Sequence, residues 1–244
     1  FGEGADRLRE QIEELEAHGH DWGAANLRAV RVIFLVIAGR SEEARHEVAA
    51  AMGAARKVGS PTLLVVATYA EGMAHLHDDP DRALGAFEES LALVADGASD
   101  IVYAETLEQV ARLRLRRGDL AEAVDALAEG LRFAADIGNR WIYTACLWHG
   151  LEVFEAVGAH DLVAMAAGLS GPGGSLVPVE MQTDDPSAAR ARDEVCRRAR
   201  LELGADRYDE LEVAAERLSF EAAVPRVSEA LDGLRRRLTS PERA

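Results

Sequence analysis

The chain has 244 residues, 48% apolar and only 5% aromatic, with 43 acidic against 27 basic side chains and a net charge of −16. A surface this acidic repels phosphate backbones, which argues against direct nucleic-acid contact, and no apolar run reaches the roughly 18–20 residues that span a bilayer. Cys146 and Cys196 suggest neither a disulfide framework nor a metal motif, and both read as small apolar fillers in a reducing, cytoplasmic setting.

Apolar side chains at helical spacing predict twelve helices. Leu8, Ile12 and Leu15 mark the first, over 3–18, and Gly19 ends it. Asp21 is placed to cap 22–38, which carries Trp22, Leu27, Val30, Ile33, Phe34 and Ile37 and is interrupted by Arg31. Ser41 is placed to cap 42–57, and Gly59 ends it. Then 61–77 pairs with 80–95, 99–117 with 119–137, and 139–157 with 160–169. Pro80 suits a helix start, and Asp119 with Glu122 has the spacing of a capping box. Residues 170–186 hold three Pro and three Gly and predict a loop. Three more helices follow, at 187–203, 206–216 and 220–238, the last capped by Ser219 and kinked or delayed by Pro225.

These helices recur with a period. Gly39-Arg-Ser-Glu-Glu-Ala44 returns as Asp79-Pro-Asp-Arg-Ala83, as Gly118-Asp-Leu-Ala-Glu-Ala123 and as Gly158-Ala-His-Asp-Leu-Val163, with the closing residues 39, 40 and 40 positions apart. Gly19-His-Asp-Trp22 matches Gly138-Asn-Arg-Trp141, which puts Trp22 and Trp141 at one repeat position, as buried structural residues opening a helix. A fixed period of this size predicts an all-α, right-handed solenoid of helical hairpins, and an array of that kind is a surface for holding something. The expected organisation is helical repeats over 1–169, a Gly/Pro-rich loop over 170–186, and capping helices over 187–244 that leave the forty-residue period. Residues 187–244 hold 12 Arg and 12 Asp/Glu, so the acidic excess belongs to 1–186, with 15 Lys/Arg against 31 Asp/Glu. Because the pattern opens on the second helix of a pair, these are expected to be the last four repeats of a longer array.

Glycine at the inner turn, alanine four or five residues on and a bulky residue opening the next pair resemble tetratricopeptide repeats, best over 104–137, where Leu107, Ala111, Gly118, Ala123, Leu127 and Ala135 fall at the expected offsets. The tail adds Leu203-Gly204-Ala-Asp-Arg-Tyr208, Leu211 and Leu218-Ser219-Phe220-Glu221-Ala222-Ala223-Val224, which resemble the C-terminus of LuxR/AfsR-type bacterial regulators. These are MalT-like signal-transduction ATPases, some linked to adenylate cyclase domains. The resemblance implies a non-catalytic sensor module of a transcriptional regulator, with no cofactor of its own. It would bind a protein, peptide or small-molecule effector, or other domains of its parent, and a homo-oligomer is a further possible assembly. Pro225 departs from the pattern, where alanine is usual. In tetratricopeptide arrays the first helix of each pair lines a concave groove. Carried over, those positions are Tyr69, Met73 and His77; Glu105, Glu108, Arg112 and Arg116; and Trp148, Glu152 and Glu155. Arginine forks onto carboxylate or phosphate, and an aromatic anchor suits a peptide.

Catalytic motifs are absent from the sequence. The only lysine, Lys57, stands in no phosphate loop. His18-x-His20 and His75-x-His77 are two apart, which sends their side chains to different helix faces, unlike the four-apart pair of a zinc helix. Arg112, Arg114, Arg116 and Arg117 spread around one helix beside acids at 105, 108 and 119, which fits intrahelical ion pairs. Glu108 and Glu152 are the one carboxylate pair an enzyme reading would rest on. A scaffold for self-association or interdomain packing is the main alternative to a sensor.

Overall fold

A computed structural model describes residues 1–97, 100–170 and 186–239, with side chains in the last segment from 190 onward. Every described element is a helix: α1 (Gly2–Ala17), α2 (Asp21–Ile37), α3 (Ser41–Val58), α4 (Pro61–His75), α5 (Pro80–Ala95), α6 (Tyr103–Arg117), α7 (Leu120–Asp136), α8 (Arg140–Ala156), α9 (His160–Ser170), α10 (Pro186–Leu203), α11 (Ala205–Glu216) and α12 (Phe220–Thr239). The fold is all-α. None of these helices is long and apolar enough to cross a membrane.

The forty-residue period is built from two twenty-residue units. Gly19, Gly39, Gly59, Gly118, Gly138 and Gly158 all have φ between 67° and 84°. At Gly39 and Gly138 that left-handed backbone closes a pair of reverse hydrogen bonds: Arg40 N–H donates to Leu35 O and Gly39 N–H to Val36 O, and Asn139 N–H donates to Ala134 O and Gly138 N–H to Ala135 O. A side chain with a Cβ is strained in that conformation, so glycine ends the helix and sets where the next begins. The turn between α4 and α5 uses another device. Asp79 accepts from the Arg82 N–H, and Pro80 takes the first helical position.

Several expected caps are displaced. Asp21 and Ser41 are the first helical residues, after His20 and Arg40, and neither caps by its side chain. Asp119 sits at the N-cap, but its carboxylate takes Arg114 at 3.4 Å instead of a backbone N–H. Ser219 does cap, accepting from Ala222 N–H at 3.3 Å. Pro225 lies inside α12, and the helix starts at Phe220 without delay. Helix α6 begins at Tyr103 rather than 99, leaving Ile101 exposed. The expected loop over 170–186 lies outside the described residues, except that Ser170 ends α9 and Pro186 opens α10.

The chain forms two compact units, Phe1–Thr106 and Leu107–Ala244. In the first, α2 packs on α1, α3 and α4, and α4 packs on α2, α3 and α5, so first helices of successive pairs touch. Small side chains also serve the pairs: Ala44 of α3 and Ala83 of α5 are fully buried, and Gly72 of α4 lets the Phe87 ring of α5 come within 2.5 Å of where a Cβ would stand. A chain of ion pairs fastens α1, α2 and α3. It runs Glu16–Arg28–Glu47–Arg31–Glu43–Arg40–Asp6, with separations of 2.7, 3.9, 2.6, 2.6, 2.6 and 3.0 Å. Arg31 at its middle is 2% exposed, and its Nε donates to the Ala5 carbonyl at 3.1 Å.

In the second unit, α8 packs between α7 and α9, and the tail encloses α9. Helices α10 and α11 lie on α9, and α12 reaches α7 and α9. Gly168 makes the α9–α11 contact possible, since a Cβ there would stand 2.2 Å from the Glu212 carbonyl oxygen. From Leu162 to Ser170 every residue is buried except Met165, which is half-buried. The helices of the tail therefore all contact α9.

Candidate functional site

Helices α6 and α8 are first helices of consecutive pairs, so the same repeat position recurs on them about forty residues apart. Glu108 and His149 show it: 41 positions separate them, and Glu108 Oε1 stands 2.7 Å from His149 Nδ1. Glu108 is 5% exposed, and His149 Nδ1, though close to it, lies off hydrogen-bond geometry and has no hydrogen-bond partner among the described residues. Gln109 donates Nε2 to the same Glu108 oxygen at 3.0 Å, and Arg112 Nη1 reaches Gln109 Oε1 at 3.4 Å. The sequence thus folds a glutamate, a glutamine, an arginine and a histidine into one polar strip in the second unit.

Trp148 lies next to His149 on α8 and is half-buried. The Arg192 guanidinium, from α10, stands 3.6 Å from its ring centroid, within cation–π range. Glu152, one turn beyond Trp148, is exposed, and Glu155 pairs with Arg198 of α10 at 2.7 Å. Arg116 is exposed at the end of α6.

The expected groove residues of the first unit behave differently. Tyr69 is 7% exposed and packs its ring on Phe87 at 5.7 Å, so it belongs to the core and not to a surface. The cause is Gly72, which lets Phe87 lie against α4 and draws Tyr69 inward with it. Met73, one turn on, is half-buried, His77 is exposed and Glu105 is half-buried. Glu108, Arg112, Arg116, Trp148 and Glu152 lie in the second unit; Tyr69, Met73 and Glu105 lie in the first.

Three contributors are not among the sequence candidates: Gln109, His149 and Arg192. The repeat period is a partial signal for His149, because forty residues on from Glu108 stands Trp148, its neighbour on α8. Nothing in the sequence points to Arg192, since α10 stands outside the period. A cleft of about 670 Å³ lies elsewhere in the second unit, between Gly158–Leu162, Leu203 and the Ala230–Arg237 face of α12, and shares no residue with the strip.

Trp22 and Trp141, expected as buried structural residues, are 51% and 46% exposed. Each is the second residue of its helix, where the side chain leans over the preceding turn and away from the packed face. Among the described residues no group of three or more His, Cys, Asp or Glu side chains is placed to hold a metal ion. No protein-family model, no curated protein and no solved structure matches this chain.

Proposed function

We propose that the chain is a non-catalytic interaction module that holds an effector or partner on the α6–α8 strip, through the accessible Arg112 of one helix and Trp148, His149 and Glu152 of the next, with the buried Glu108 and Gln109 behind them. The observation that carries this reading is the Glu108–His149 contact. It brings polar groups of α6 and α8 together beside an aromatic ring, between helices that also bury Leu107, Ala111, Leu147 and Leu151. Buried ionisable groups cost stability, and a surface that binds by arginine, carboxylate and aromatic anchor justifies that cost. The partner class that fits is a peptide or small molecule presenting both a carboxylate and a cation. The resemblance to MalT-like regulators supports a sensing role in bacterial transcriptional control, with binding altering how the repeats pack.

Isothermal titration of the chain with charged peptides and sugars tests this. Binding that Arg112→Ala or Trp148→Ala weakens tenfold supports it, and binding indifferent to both substitutions contradicts it. A second reading, a scaffold for self-association, is favoured by Trp22 and Trp141, two half-exposed indoles at the same repeat position. Light scattering separates the two. A dimer that Trp22→Ala and Trp141→Ala dissolve, in a chain that binds no small partner, favours the scaffold.

A further inference from the structure

Part of α8 beside the strip is already covered. Arg192 stacks on Trp148 at 3.6 Å, and Arg198 Nε donates to Glu155 Oε1 at 2.7 Å. Trp148 and Glu155 are two helical turns apart on α8, and Arg192 and Arg198 advance in the same direction along α10. Helix α10 therefore lies along α8 beside the strip and holds it with two arginines.

Its hold on α8 itself is polar. Val195 and Ala199 are the only buried apolar side chains of α10 among those described. Toward α11, Arg200 pairs with Asp209, between side chains 44% and 45% exposed, and stands 5.8 Å from the ring of the buried Tyr208, which also hydrogen-bonds Cys196; α10 packs on α9 as well. Arg192 also leaves Nη1 buried without a hydrogen-bond acceptor among the described residues. A donor taken from water and given no partner opposes the contact that buries it. A helix built to be permanent would bury more apolar surface and leave no such donor.

We propose that α10 is a built-in occupant of the α8 face, competing with an external helical peptide that offers arginines at the same six-residue spacing. This rests on reading the α6–α8 strip as the binding surface. Because α10 is tethered, its effective concentration is high, so an outside peptide of equal chemistry is held off until α10 is weakened.

The test uses the full chain and a fluorescent synthetic peptide with the sequence of residues 186–203. The expected result is weak binding to the wild-type chain and at least tenfold tighter binding to the Arg192→Ala/Arg198→Ala variant. That gain is lost again when Trp148→Ala and Glu155→Ala are added. Circular dichroism checks folding, and Arg192→Gln alone serves if the double variant unfolds. In a Trp22→Phe/Trp141→Phe background, the emission of Trp148 shifts to the red when α10 is weakened. Equal binding to wild type and variant, or unchanged Trp148 emission, overturns the proposal. If the α10 peptide binds in this pattern but charged external ligands never do, the functional reading fails and the occupancy of α8 by α10 stands. If external ligands bind the wild type and gain nothing from the variant, the reverse holds.

Discussion

Arg31 and Glu43 are joined by a 2.6 Å ion pair in which the guanidinium is 2% exposed while the carboxylate side chain keeps 38% of its surface in solvent. The arginine is thus a buried bracket whose far end opens to water. It also meets Glu47 at 2.6 Å and the Ala5 carbonyl at 3.1 Å, so one side chain of α2 holds both α1 and α3.

Arg31→Ala removes that bracket and leaves a cavity. The expected loss is about 2–4 kcal/mol, toward the lower part of what breaking a buried pair costs, because Glu43 and Glu47 can turn to solvent. Arg31→Met keeps most of the volume and is expected to lose less. Urea unfolding of the two variants reads the difference, and equal losses would show that the stem of the side chain contributes nothing at this position.

Glycines in helices divide sharply by what they face. Gly168→Ala places a methyl 2.2 Å from a backbone carbonyl of α11, which no side-chain rotation relieves. A loss of roughly 1–3 kcal/mol or more is expected from overpacking. Gly53→Ala meets nothing within 4 Å on an exposed turn of α3 and is expected to stabilise by about 0.5–1 kcal/mol. Thermal unfolding of both variants checks the opposite signs.

Because Trp22 and Trp141 are half exposed, each truncation to alanine is expected to cost about 1 kcal/mol, set by the apolar area that remains covered. Phe87→Ala, at a side chain with no exposure, is expected to cost about 3–5 kcal/mol. Denaturant midpoints give the ranking directly, and equal losses would mean that the indoles are buried in solution.

Stability should fall with acid in two stages. Burial, reinforced by Arg82, lowers the His75 pKa below 6.5, so the folded chain resists protonating it. Its contribution is whole above about pH 6.5 and is lost as pH falls through the lowered folded value. The hydrogen bond from Arg40 holds the Glu43 carboxyl below 4.5, with Arg31 adding to it. That contribution is whole above about pH 4.5 and fades as acid protonates the folded carboxylate. His75→Gln should flatten the first stage and Glu43→Gln the second, as read by unfolding free energy against pH.

Much of the architecture was legible because it is written in local chemistry. Glycines about twenty residues apart end helices by backbone geometry alone, and apolar spacing places what lies between them, so the helix bounds differ from expectation mainly at the start of α6. The caps were less legible: Asp21, Ser41 and Asp119 have the right chemistry, but the backbone enters the helix one residue early or an arginine claims the carboxylate. The candidate surface was half legible. Arg112, Trp148 and Glu152 follow from repeat position and keep some exposure, whereas Glu108 is buried and Tyr69 turned inward because a glycine one turn away admitted Phe87. Arg192 was illegible, since only the tertiary placement of α10 brings it to Trp148.

The most direct measurement is the affinity of one bound charged peptide across alanine variants of Glu108, Arg112, Trp148 and Glu152, set beside Arg132→Ala and Glu210→Ala as controls outside the strip. The strip variants are expected to weaken binding tenfold or more, with both controls within about twofold of wild type. Uniform affinity across all six variants would contradict the assignment of the α6–α8 strip as the binding surface.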